Sequence, residues 1–214
     1  MSEKENVMDS SGPIAMGFSL KTNFNAPLPV SAQLKEMQEA EKDMGLDSGE
    51  FDPLIFAAEH GDLVRLQQLL KSGEAHVDQA DSEGWTALIA AASEGQVEVI
   101  NTLLVHCSPD VNAVNHDNET ALIRATLGGH SEAVRALLAT GGVDVNAKSA
   151  KGTSALMIAA AMGDEGIATE LLVAEGIKVD AVDGEGKSAL VHAQERGHVG
   201  VATLIATIAE ADEA

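Results

Sequence analysis

An all-α solenoid of stacked helix-turn-helix units is the fold this sequence predicts, with loop and β-turn connections and a largely irregular N-terminal arm ahead of it. Three observations point there. The block Asp81-Ser82-Glu83-Gly84-Trp85-Thr86-Ala87-Leu88 returns as Asn115 to Leu122, Ser149 to Leu156 and Asp183 to Leu190, a constant step of 34 residues. The glycines Gly95, Gly129, Gly163 and Gly197 keep that step, and so do the Leu-Leu pairs at 103–104, 137–138 and 171–172. A period of this size marks units that bury their apolar faces only against their neighbours.

The arm comes first, over residues 1–46. Ser10-Ser11-Gly12-Pro13 and Pro27-Leu28-Pro29 punctuate it without a helical or alternating period. Within it, residues 31–44 form a short helix candidate. Ser31 suits the N-cap, and Leu34, Met37 and Met44 share one face. Two roles fit this segment, a lead-in that covers the first repeat or a docking helix for a partner.

From residue 47 to 214 the repeat takes over, in copies at about 47–80, 81–114, 115–148, 149–182 and 183–214. In the second copy, Thr86 to Glu94 predicts a first helix ended by Gly95, since a glycine past a helix end accepts the left-handed conformation. Val97 to Val105 predicts a second helix with Val97, Ile100, Leu103 and Leu104 apolar. Helices of about ten residues are marginal alone in water, so stacking must supply the stability. The last copy ends Leu204 to Ile208 before an acidic tail, as a terminal cap would.

These residues resemble the ankyrin-repeat family. The resemblance rests on Asp81-x-x-Gly84-x-Thr86-x-Leu88, Gly129-His130, Gly197-His198, Asp110-Val111-Asn112-Ala113 and Asp144-Val145-Asn146-Ala147. It spans about five repeats. The sequence departs from the family in two ways. Each copy has one extra residue, falling between Ala139 and Val145 in the third, which loops tolerate at small entropic cost. The family's Thr-Pro-Leu-His histidine is replaced by Ile55, Ile89, Ile123, Met157 and Val191. That substitution removes a Thr–His hydrogen bond and predicts apolar packing in place of the usual turn network.

Charge narrows the function. The chain carries a formal −21, a field that repels phosphate backbones and anionic membranes and attracts a basic patch on a protein. Cys107 is the only cysteine, which excludes an intrachain disulfide and any cysteine-based zinc site. No apolar run reaches membrane-spanning length, and Met1 to Ser10 lacks a hydrophobic signal core. A reduced cytoplasmic or nuclear setting is expected.

The chemical motifs dissolve into the repeat. Ala181 to Ser188 imitates a phosphate-binding loop, but its first glycine is Ala181, and Gly186 and Ser188 occupy the columns of Gly84 and Thr86. The seven histidines share no ligand spacing, and His130 and His198 occupy the family's Gly-His column. Neither a catalytic set, nor a metal site, nor a cofactor or small-molecule substrate is expected.

In ankyrin-like arrays, variable residues beside the turn glycine and at the end of the first helix form a concave binding surface. The resemblance places Glu83, Trp85 and Glu119 in the turn columns and Glu94, Leu127 and Met162 at helix ends. Phe51 shares the turn column of Trp85. Two readings of that pair compete: Trp85 leans on Phe51, or both are exposed anchors whose truncation costs roughly 2 kcal/mol of binding. The second predicts that Trp85→Ala weakens a partner tenfold and leaves stability nearly unchanged. A non-catalytic adaptor or scaffold is expected. The alternatives are a structural subunit anchored by the arm, or a soluble inhibitor or assembly chaperone of an enzyme.

Overall fold

A computed structural model describes residues 52–73 and 75–212; Phe51 and the helix candidate at 31–44 lie outside the described residues. Helices come in pairs: α1 (Pro53–Glu59) with α2 (Leu63–Ser72), α3 (Ala87–Ser93) with α4 (Val97–His106), and α5 (Ala121–Leu127) with α6 (Ser131–Leu138). Two further pairs follow, α7 (Ala155–Met162) with α8 (Glu165–Leu172), and α9 (Ala189–Glu195) with α10 (Val199–Asp212). Among the described residues there is no strand, only two isolated bridges, Lys148 to Ser154 and Val182 to Ser188.

Each first helix starts where a side-chain oxygen replaces the missing backbone acceptor. Thr86 accepts from the Ile89 N–H, Thr120 from Ile123, Ser154 from Met157 and Ser188 from Val191, while Asp52 serves Leu54 and Ile55. Each such cap is worth about 1 kcal/mol. The apolar packing expected in place of the family's histidine is present. The cap hydroxyl takes the backbone N–H instead, and the replacing side chains Ile89, Ile123 and Met157 are buried. Past each helix, Gly95, Gly129, Gly163 and Gly197 take φ of 67–77°, which reverses the chain into the second helix.

First helices stack on first helices and second on second, each row in chain order. Alanines make the inner row tight: Ala87, Ala91, Ala92, Ala125, Ala159 and Ala160 are buried, interleaved with Leu88, Leu122 and Leu156. The buried face of α4 is Val99, Ile100 and Leu103, with Val97 and Leu104 only half-buried, so the expected stripe is rotated. The helix meets α3 and both neighbouring second helices, and Leu103 falls between Val99 and Ile100 in the arc they bury. At the C-terminal end α10 runs to 14 residues, packs on α9 and α8, and buries Val201 and Ile205.

Polar side chains then tie each repeat to the next. Gln96, His130 and His198 each bond a carbonyl 37 residues earlier, those of Glu59, Ser93 and Ala161, at 3.0–3.1 Å. The fourth position in this column is Asp164, which cannot donate and instead caps the Ile167 N–H. A second ladder runs through the loops. Asn112 donates to the Gly142 carbonyl and accepts from the Asp144 N–H; Asn146 does the same with Gly176 and Lys178.

Asp78 heads that ladder, accepting from the Asp110 N–H at 2.9 Å but offering no donor to the next loop. Its charge, after burial, also pushes the Cys107 thiol up from its ordinary pKa. Asp78→Asn is expected to complete the ladder, raising urea stability by about 0.5–1 kcal/mol and lowering the Cys107 pKa in a thiol-reactivity titration.

Candidate functional site

The turns ahead of α3, α5 and α9 are each built by one acceptor, while ahead of α7 the Ser149 and Thr153 hydroxyls pair instead. Asp81 Oδ1 takes the N–H groups of Glu83 and Trp85, Asn115 Oδ1 those of Asp117 and Glu119, and Asp183 Oδ1 those of Glu185 and Lys187. Successive tips are joined by backbone bonds, His116 N–H to the Glu83 carbonyl, Ala150 to Asp117 and Gly184 to Lys151, at 2.8–3.3 Å. Gly152 sits in this seam at φ +77°, where a Cβ would lie 2.7 Å from the Gly184 nitrogen. The tips thus form a continuous edge beside the row of first helices.

Trp85 stands on that edge, and its expected pairing with Phe51 lies outside the described residues. Its ring is half-buried against the core, and the Arg124 guanidinium of the next repeat lies 4.7 Å above its centroid. Arg124 is held there by Glu119 Oε2 at 3.2 Å and by the Ser93 hydroxyl at 2.9 Å. A packed and capped indole contributes to stability, so the expectation that Trp85→Ala is nearly neutral for folding is revised.

Beside the indole opens a cavity of about 310 Å³ lined by Ile55, Glu59, Asp81, Glu83, Trp85, Ala90, Ser93, Glu94 and Arg124. The structure therefore brings three of the residues singled out in the sequence, Glu83, Trp85 and Glu94, to one place. Glu119 joins them through Arg124. Leu127 and Met162 lie outside the cavity, at the ends of α5 and α7, 39% and 47% exposed, an apolar pair separate from the acidic one. Arg124 and Ala90 escaped sequence reasoning. They share one first-helix column, 34 residues apart, and stepping that column against the turn column would have placed both beside Trp85.

A larger cavity, about 670 Å³, lies between α2 and α4 and is lined by Lys71, His76, His106 and Cys107 among others. Basic side chains thus stand near Cys107, yet burial raises the thiol, the opposite of an activated cysteine. Among the described residues no three or more His, Cys, Asp or Glu side chains gather to hold a metal ion. Among them also, no helix is long and apolar enough to cross a membrane.

In the last repeat, Asp183 Oδ2 meets His192 Nε2 at 2.8 Å. The Lys187 N–H, then His192 and the Glu185 N–H, hold the Asp183 carboxyl below the usual carboxylate range against the opposing effect of burial. A depressed pKa stabilises the fold above the unfolded value of about 3.9 and loses that contribution as pH falls through the folded value. Asp183→Asn is therefore expected to flatten the decline of Tm below about pH 4. An acid limb of unchanged slope would contradict this.

Comparison with curated proteins returns no match. A family model of ankyrin repeats, in three copies, matches residues 30–115, 54–149, 103–183 and 122–213 in overlapping registers. Those matches span most of the sequence and coincide with the stacked pairs just described, so the chain belongs to the ankyrin-repeat family.

Proposed function

We propose that the protein is a non-catalytic interaction module that binds a partner protein with a basic surface patch, through the concave face of turn tips and first helices. Ankyrin repeats are generally protein–protein interaction modules. The observation that carries the reading for this chain is the clustering of Glu83, Glu94 and Trp85 around one cavity on that face. The surrounding field has the same sign: the chain's net charge is −21, and residues after 50 carry nine Lys or Arg against 25 acids. Such a surface steers a basic partner into encounter and disfavours nucleic acid. Leu127 and Met162 extend the contact as exposed apolar side chains farther along the array.

The test is capture from native extract with two baits, the full chain and residues 47–214. Capture of the same protein by both supports recognition by the repeats. Capture by the full chain alone would move recognition to the arm and make the repeats a scaffold.

A further inference from the structure

We propose that the cavity beside Trp85 receives an arginine side chain from the bound protein. The inference deepens the reading above and rests on it. Its origin is a local gap in the repeat. The first-helix column that carries Arg124, Ile158 and His192 in later copies holds Ala90 in this one. The space that a long side chain fills elsewhere is left open in front of the only Trp of the sequence.

The walls suit one chemistry. Ile55 and Ala90, both buried, and the half-buried indole give an apolar lining for an aliphatic stem. Four carboxylates, Glu59, Asp81, Glu83 and Glu94, line the same space, and its one cation, Arg124, is already paired with Glu119. The indole accepts a guanidinium, because Arg124 is stacked on it at 4.7 Å. A planar, weakly hydrated fork with five donors meets several carboxylates and an aromatic wall better than an ammonium does. At about 310 Å³ the cavity is at the small end of ligand sites, room for one side chain. The chain's own arm is a poor occupant, since residues 1–50 carry four Lys against nine Asp and Glu and no Arg.

Trp85 makes the test direct, since no second Trp and no Tyr obscures its emission. The full chain is titrated with the peptide acetyl-Gly-Gly-Arg-Gly-Gly-amide and with the same peptide carrying neutral citrulline in place of arginine. The arginine peptide is expected to give a saturable change in Trp85 fluorescence. Citrulline should bind at least about tenfold more weakly, and the double variant Glu83→Gln, Glu94→Gln should weaken the arginine peptide about fivefold or more. Both glutamates are exposed, so the variant keeps the fold.

No saturable change up to about 10 mM, equal binding of the two peptides, or indifference to the double variant would each overturn the proposal. The broader reading fails separately. A protein captured by residues 47–214 and retained by the double variant leaves the module standing without its arginine site. Arginine binding with no protein captured does the reverse.

Discussion

Leu122→Ala is expected to lower the unfolding free energy by about 4 kcal/mol, within the 2–5 kcal/mol typical of a buried leucine. Leu122 is 1% exposed on α5, the first helix of the third copy, and α5 packs on both α3 and α7. A solenoid's stability is a sum of unit and nearest-neighbour interface energies, so one truncation there weakens two interfaces at once. The neighbours are closely packed alanines with no side chain free to fill the hole, which favours the upper part of the range. Trp85, in the second copy, reports the N-terminal half alone, whereas ellipticity reports every helix. Urea unfolding of Leu122→Ala should therefore show both a lower midpoint and separated fluorescence and ellipticity curves. A loss under about 1 kcal/mol with coincident curves would show that the array relaxes around the cavity.

Trp85→Ala is expected to weaken the partner at least about tenfold, the scale of an aromatic anchor. It should also cost about 1–2 kcal/mol of stability, because the ring is half-buried and carries the Arg124 stack. Fluorescence is lost with the side chain, so stability is followed by ellipticity and affinity by calorimetry. Val105→Ala is the control, a 74% exposed position on α4 in the other row of helices, expected to change neither quantity. Lost stability with unchanged affinity would make Trp85 a structural residue only.

How far the sequence carries these predictions depends on the range of each interaction. Caps and turns are local, so the first helix expected over Thr86 to Glu94 appears as α3 with Thr86 as its cap, and Gly95 occupies its expected place. The histidines of the Gly-His column were legible as structural, and His130 and His198 indeed bond the preceding repeat. Gln96 shares their column by the same step, but that its amide reaches the preceding repeat's carbonyl as the imidazoles do is visible only in the structure. The Asn112 and Asn146 ladder likewise needs the stacking distance between loops, which a period in sequence does not supply.

The site was half legible. Trp85 and its acidic neighbours stand out by type, but what covers the indole is Arg124, 39 positions on, whose role depends on how far one repeat advances over the last. The absence of a side chain at Ala90 is harder still to read, since a cavity is made by what a column lacks.

Partner capture by the full chain and by the Glu83→Gln, Glu94→Gln variant, at low and at physiological salt, tests the binding face most directly. Recognition through this face predicts that the unmodified chain retains a protein whose capture weakens with salt. The variant should lose most of that capture while its thermal unfolding stays the same. Equal capture by both chains at both salts would contradict it, and would place recognition elsewhere on the molecule.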